Sequence, residues 1–203
     1  MKFHFFPIGI PVRKRLLDLI ITTPGFILLI PVYLVIGLMI WIIDGPPVTF
    51  RQVRPGYRGK LFKVIKFRTM KDFRDGLTDE QRVYRFGLFL RTTSLDELPE
   101  LINILAGEMS LVGPRPLLVQ YLERYSPEQA RRHLVLPGLT GWAQIHGRNV
   151  LRWKEKFNLD VWYVDHWSLG LDIKIMFLTI WKVLKREGIS PTNQMTTDEF
   201  MGN

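Results

Sequence analysis

Two carboxylates stand side by side in the run Arg91-Thr92-Thr93-Ser94-Leu95-Asp96-Glu97-Leu98-Pro99-Glu100, with an arginine shortly before them. An ionised carboxylate beside a phosphate-gripping arginine can hold Mg2+ or attack phosphorus itself. The same residues have a structural use. Ser94 and Glu97 have capping-box spacing, and acids near a helix start meet its dipole favourably. Pro99 would fall in the second turn of a helix capped by Ser94; a start nearer Asp96 moves it into the first turn, where its missing N–H matters little. In either register Asp96 lies where the backbone favours its ionised form. The residues alone leave catalysis and capping both open.

Gly113-Pro114-Arg115-Pro116 adds a second feature. A proline on each side fixes φ, so Arg115 is presented from stiff backbone and less entropy is lost when it grips a phosphate. A plain tight turn with a solvated arginine is the commoner fate of such a motif. Metal chemistry is bounded by what is scarce: the chain has no cysteine and four histidines, with no HxxxH pair. That removes thiolate zinc sites, disulfides and cysteine nucleophiles, and leaves a hard cation on carboxylates and phosphates as the metal to expect.

The elements that must position these residues begin with a membrane segment. Leu19 to Ile43 is a run of 25 residues without a charge, closed by Asp18 and Asp44. As a helix it would measure about 37 Å, enough to cross a hydrocarbon core. A domain of this size could not cover such a helix on every side, and a cleaved signal would be shorter and end in small residues. Arg13, Lys14 and Arg15 precede the run, and Arg51, Arg54, Arg58, Lys60, Lys63 and Lys66 follow it, so both flanks favour the cytoplasmic side. Thr22-Thr23-Pro24-Gly25 and Pro31 interrupt it, and a threonine hydroxyl can bond a carbonyl that proline frees. A helix that enters, breaks at Thr23-Pro24 and returns to the same face satisfies both observations; a kinked single-pass helix is the alternative.

The remainder reads as one domain, residues 47–203, after a basic N-terminus and membrane helix over 1–46. Val48–Val53 and Leu61–Met70 flank Pro55-Gly56-Tyr57-Arg58-Gly59-Lys60 and predict a β-hairpin. Residues 71–82 form a polar loop or short helix. Helices are expected over Tyr84–Leu90, over Leu98–Leu105 from its i, i+3, i+4, i+7 apolar pattern, and from Ser126-Pro127-Glu128 onward. Gly113–Pro116 and Pro137–Gly147 should be loops. Lys174, Lys182 and Lys185 share a helical sector, with Leu178 intruding, and the rest of Leu171–Leu184 is largely apolar, which suits either the membrane interface or the domain core. The fold class is α+β, predominantly α. Net charge is 28 − 19 = +9, pointing to anionic partners. Nucleic acid is a poor candidate, because apolar structure interrupts the arginines and no recognition motif is present.

The chain resembles the bacterial sugar transferase family, monotopic phosphoglycosyl transferases that move a phosphosugar from a nucleotide diphosphosugar to a polyprenyl phosphate. The resemblance lies in Lys14-Arg15-Leu16-Leu17-Asp18, Lys66-Phe67-Arg68-Thr69-Met70, Arg91 to Leu105, Gly107 to Pro116, and Pro137-Gly138-Leu139-Thr140-Gly141-Trp142. It continues through Gly147-Arg148, Lys156, Asp160, Tyr163, Asp172 and Ile173, in order over nearly the whole chain. It implies a short form of the family without further membrane helices. Asp96 would be the nucleophile on a UDP-sugar, releasing UMP and forming a phosphosugar-aspartyl intermediate that undecaprenyl phosphate then attacks. Glu97 would complete the dyad, positioning Mg2+ or the acceptor phosphate. The resemblance further implies a re-entrant helix at the bacterial inner membrane, with Thr23-Pro24 standing where the family has Ser-Pro, and a compact domain with interfacial helices on the cytoplasmic face.

Cleaving a diphosphate needs charge neutralisation more than proton transfer, so Mg2+, held through Asp96, and arginines should supply most of the stabilisation. Arg91, Arg115 and Arg148 are the phosphate-binding candidates; His146, alone in a loop, is a weak general base. Two rivals remain. An anionic-lipid-binding module would leave the acid pair idle, and a membrane-bound phosphatase would pass the phosphoryl group to water. The sugar, the pathway and the oligomeric state are not written in these residues.

Overall fold

The computed structural model describes residues 5–71, 78–147, 151–185 and 199–202. Its first element is one long helix, α1 (Val12–Asp44). Asp18, Thr22, Ile36 and Ile40 are buried on one stripe, and Phe26, Leu29, Val32 and Tyr33 complete it against the domain. Their three- and four-residue spacing is that of a single helix face. The opposite face, including Ile20, Ile27, Leu28, Leu34, Val35, Trp41 and Ile42, is exposed.

Both ends of α1 are tied to the same domain. Near its start, Lys14 Nζ donates to Asp172 Oδ2 at 2.7 Å, Arg15 Nη2 to the carbonyls of Ile104 and Leu105, and Asp18 accepts from Ser110 and the Leu111 amide. At its end, Arg68 pairs with Asp44 at 3.0 Å and donates to the carbonyls of Asp44 and Gly45, so a cation meets the last turn. Lys14 and Arg15 are therefore buried anchors, whereas the basic triplet reads in the sequence as free topology charge.

Two features differ from the sequence reading of this segment. Helical structure runs through Thr23-Pro24 and Pro31 without a break. Each proline removes one backbone donor, and both, like Thr23, lie on the exposed face. The Thr22 hydroxyl, expected to bond a freed carbonyl, is buried without a hydrogen-bond partner.

The hairpin forms as expected. β1 (Thr49–Pro55) pairs antiparallel with β2 (Leu61–Phe67), from Thr49 opposite Phe67 to Pro55 opposite Leu61. A 3-10 turn at Tyr57–Gly59 closes it, with Arg58 and Gly59 at positive φ. Strand alternation sends Phe62 and Val64 into a core with Leu101, Ile104 and Met109, and leaves Lys66 further along that face. A short helix, α2 (Asp79–Arg82), leads to α3 (Arg85–Thr92), whose Gly87 lies against the Thr69 carbonyl where any side chain would collide.

After α3 comes a 3-10 turn, Leu95–Glu97, and then α4 (Glu100–Ala106). Buried Asn103 fixes α4 to the hairpin, accepting from the Ile65 amide and donating to the Lys63 carbonyl. Next are β3 (Ser110–Val112), α5 (Pro127–Ala130), β4 (Gly138–Thr140), α6 (Trp142–Gly147), α7 (Trp153–His166) and α8 (Leu169–Lys185). β3 and β4 pair in parallel. Ser126 caps α5 with Pro127 in its first turn, as the sequence predicts. The stretch Pro137–Gly147, expected as loop, instead holds β4 and α6; a three-residue strand shows no periodicity and exists only because β3 lies beside it.

In α8, Ile175 and Asp172 face the domain, while Ile173, Phe177, Ile180 and Trp181 form an exposed apolar stripe. The fold is thus helical with two small sheets and one long apolar helix.

Candidate active site

The acid pair sits on the tight turn between α3 and α4. Ser94 there adopts φ 57°, ψ 17°, a left-handed conformation uncommon for serine that reverses the chain and brings Asp96 and Glu97 to the domain surface. Such backbone strain concentrates where geometry serves a site. The capping box does not form: Ser94 makes no side-chain cap bond, Pro99 precedes α4, and the helix begins at Glu100. Glu97 is drawn elsewhere, because two cations compete for its carboxylate.

Those cations are Lys66 and Arg115. Lys66 Nζ lies 2.6 Å from Glu97 Oε1 and 3.1 Å from Glu100 Oε1. Arg115 donates to both Glu97 oxygens, through Nη2 to Oε1 and through Nη1 to Oε2. Burial alone would raise Glu97, but Arg115 and Lys66 together hold it well below the usual carboxylate range. Glu97 is therefore a fixed negative charge. Burial, then the charge on Glu97, pushes buried Glu100 up to about 7.

Asp96 is the opposite case. Its half-buried carboxylate accepts no hydrogen bond from any described residue. Burial first, and then the neighbouring Glu97 charge, push it up to about 6, against the opposing pull of Lys66, Arg115 and Arg91. A carboxylate that is more basic than usual, free of donors and surrounded by cations is a competent nucleophile toward an anionic electrophile. Four cations, Arg54, Lys66, Arg91 and Arg115, act on three carboxylates, Asp96, Glu97 and Glu100. The local balance suits a ligand that brings its own negative charge.

Arg115 is held as rigidly as its prolines suggest. The Gly113 amide donates to Thr140 and the Pro114 carbonyl accepts from the Gly138 amide at 3.0 Å, tying this loop to β4. A Cβ on Gly113, Gly138 or Gly141 would lie within about 2.2 Å of facing backbone, so the two loops meet at a distance only glycine allows. Behind them, buried Arg132 donates to the Arg115 carbonyl at 2.7 Å and to Asp160 Oδ2 at 2.7 Å. The Arg115 side chain remains 43% exposed, so its guanidinium bridges Glu97 and solvent.

The structure thus brings Arg91, Asp96, Glu97 and Arg115 together. Arg91 stands in the last turn of α3 with Nε donating to Thr69 at 2.9 Å. Arg148 lies outside the described residues. His146 is exposed on α6, 4.2 Å from the Trp142 ring by centroids, with Nδ1 at its own helix's Trp142 carbonyl. The site residues that sequence reasoning missed are Lys66, Glu100 and Arg54. Lys66 was visible as a flanking charge and as part of the Lys66-Phe67-Arg68-Thr69 run, not as a site residue; alternation along β2 would have placed it on the face of Phe62 and Val64.

Among the described residues, no three His, Asp or Glu side chains gather into a metal cage. Glu97 and Glu100 already face Lys66, which leaves Asp96 as the open oxygen ligand. That donor set fits an ion such as Mg2+, which commonly takes one or two carboxylates together with substrate phosphates.

The sequence model of the bacterial sugar transferase family matches residues 10–186. The chain belongs to the bacterial sugar transferase family. It is 52% identical over 199 residues to a Bacillus subtilis (strain 168) protein described as an uncharacterized sugar transferase, EpsL, with 95% of this chain and 97% of that one covered. It is 42% identical to the UDP-glucose:undecaprenyl-phosphate glucose-1-phosphate transferase of Escherichia coli (strain K12), over 83% of this chain and 39% of the relative. It is 40% identical to an undecaprenyl-phosphate galactose phosphotransferase of Salmonella typhimurium, over 71% of this chain and 35% of the relative. The sugar transferase chain described here therefore spans well under half the length of these last two.

Proposed function

We propose that this sugar transferase moves a phosphosugar from a UDP-sugar to undecaprenyl phosphate through a covalent intermediate on Asp96. The observation that carries the proposal is the contrast within the acid pair: Glu97 is pinned by Lys66 and Arg115, while Asp96 is open. In the first step a carboxylate oxygen of Asp96 attacks the sugar-bearing phosphorus. The bridging P–O bond breaks, and its electron pair leaves with UMP. In the second step a phosphate oxygen of the polyprenyl acceptor attacks the same phosphorus, breaks the acyl-phosphate bond and restores the carboxylate.

Arg115 and Arg91 grip phosphate oxygens and offset the charge that gathers on the leaving group. Lys66 and Glu97 fix one another and hold Arg115 toward the substrate. Mg2+ bound by Asp96 and the diphosphate would add Lewis-acid stabilisation to the transferring phosphoryl group.

The anchoring of α1 supports the same reading. Both ends of α1 are tied to the domain that carries Asp96, which favours a helix that enters the bilayer from one face and does not cross it. Its prolines lie on the lipid side, which lets it bend around the domain. The outward stripe of α8 lies in the interface, with Trp181 at headgroup depth. The site then meets the acceptor phosphate at the inner-membrane cytoplasmic surface, and the isoprenoid tail stays in lipid. Exposing that tail would cost roughly 0.8 kcal/mol per CH2.

The test is intact-mass measurement after incubation with a panel of UDP-sugars and Mg2+, without acceptor. A phosphosugar-sized increase, absent from Asp96→Asn, is the expected result. Release of free sugar phosphate without an adduct would instead indicate hydrolysis, and no UMP from any donor would overturn the assignment.

A further inference from the structure

The segment 199–202 is far in sequence from the acid pair, yet it packs onto the support of Arg115. Phe200 is buried at 3% exposure in a box of four rings. Centroid distances are 5.6 Å to Tyr121, 6.0 Å to Tyr125, 5.6 Å to Trp153 and 4.9 Å to Phe157. Polar bonds fix it in place. Arg124 Nη1 donates to the Phe200 carbonyl at 2.5 Å and to Glu199 Oε1 at 2.8 Å, and Gln120 donates to Glu199 at 2.6 Å. The Phe200 amide donates to the Tyr121 hydroxyl at 3.3 Å.

Two walls of that box also carry the arginine that holds the active-site loop. The Arg132 guanidinium lies 5.9 Å from the Tyr125 ring centroid and 5.8 Å from that of Phe157. Arg132 also donates to the Tyr125 hydroxyl at 3.4 Å and to the Arg115 carbonyl at 2.7 Å. One continuous set of contacts therefore runs from Phe200 through Tyr125 and Phe157 to Arg132, then to the backbone of Arg115, and from its guanidinium to Glu97. These are the contacts expected of a segment that must be held in one pose.

We propose that the Glu199–Met201 segment is a latch in which Phe200 acts as a positioning residue for Arg115. With Phe200 seated, Tyr125 and Phe157 are packed on one side and hold Arg132 on the other. Arg132 then keeps Arg115 aimed at Glu97 and at the phosphate. With the box empty, Tyr125 and Phe157 can turn into the space, Arg132 shifts, and Arg115 loses its fixed carbonyl anchor. The proposal rests on Arg115 binding substrate phosphate, as argued above.

The experiment uses the full chain in detergent or nanodiscs with Phe200→Ala, Phe200→Leu, Arg115→Ala and the double variant Phe200→Ala/Arg115→Ala. Hydrogen exchange over residues 111–118 reads the mechanical link without any turnover. Phe200→Ala should raise exchange there at least several-fold, and Phe200→Leu should fall between it and the parent. UMP release at varied donor concentration reads the functional link: Phe200→Ala should raise KM about tenfold with kcat within threefold. In the Arg115→Ala background the same change should add less than twofold. Unchanged exchange over 111–118 sinks the latch whatever the reaction proves to be. Altered exchange with losses that simply multiply in the double variant also sinks it, because Phe200 would then act by some route other than Arg115. Altered exchange in a parent that releases no UMP keeps the mechanical link and overturns the assigned function.

Discussion

Lys66 on β2 donates to Glu97 across 2.6 Å, while Asp96, the next residue back, receives no donor from any described side chain. Two adjacent carboxylates are thereby given different work. Glu97 is ionised and immobile; Asp96 is basic and accessible. The division predicts different losses. Asp96→Asn should remove the covalent adduct and lower kcat by on the order of 10³-fold or more, since the neighbouring Glu97 and Glu100 are held in ion pairs. Glu97→Gln should keep the adduct and slow its formation by roughly 10- to 100-fold, because Lys66 and Arg115 lose the charge that orients them. Intact mass and UMP release measured on the same samples separate the two, and an adduct on Asp96→Asn would refute the division.

The pH dependence follows from the same contrast. Burial and the Glu97 charge push the Asp96 carboxyl up to about 6. The attacking form is the carboxylate, so adduct formation should be full above that value and fall tenfold per pH unit well below it. With Mg2+ on Asp96, as proposed, protons and the ion would compete for one carboxylate, so raising Mg2+ should move the midpoint to lower pH. Single-turnover rates from pH 4.5 to 8 at two Mg2+ concentrations check this. A flat profile would mean that Asp96 is held ionised throughout, and a midpoint indifferent to Mg2+ would remove the ion from Asp96.

The acid pair and the Arg115 motif were legible in the sequence because each carries its chemistry in adjacent residues. Lys66, Glu100 and Arg54 were not, because they reach the site through the β1–β2 register and the packing of α4 on β2. Ser94 illustrates the other kind of failure. Its spacing to Glu97 suits a cap, but the left-handed backbone at Ser94 and the pull of two cations on Glu97 outweigh a bond worth about 1 kcal/mol. Lys14 and Arg15 were visible as charges only. That they point inward, toward Asp172 and the end of α4, depends on partners far along the chain.

The Lys14–Asp172 pair yields a stability prediction. Side-chain exposure is 4% and 1%, and Asp172 also accepts from the Tyr163 hydroxyl and the Trp167 indole. Removing one partner strands a buried charge and costs about 3–5 kcal/mol. Lys14→Met should therefore lower the unfolding temperature in detergent markedly. Adding Asp172→Asn should recover part of the loss, because the stranded charge is gone. Losses that simply add would show that the two groups are energetically independent.

Membrane topology is the last consequence of these anchors. For α1 to cross the bilayer, one end would have to leave the domain, parting either Lys14 and Asp18 from Asp172 and Ser110, or Asp44 from Arg68. Each break gives up a set of buried hydrogen bonds and ion pairs together with the apolar contacts around them. Yet the outer face of the helix, with Ile27, Leu28, Leu34 and Val35, needs lipid against it. A helix tied at both ends and immersed along one side satisfies both demands. The chain has no native cysteine, so single cysteines can be placed without background. Ile8→Cys, just before α1, and Lys60→Cys, in the hairpin turn, lie at exposed positions on either side of the helix in sequence. In sealed vesicles an impermeant maleimide should reach both or neither, according to vesicle orientation. Opposite labelling of the two positions would show that the helix spans the membrane and that its anchors do not hold.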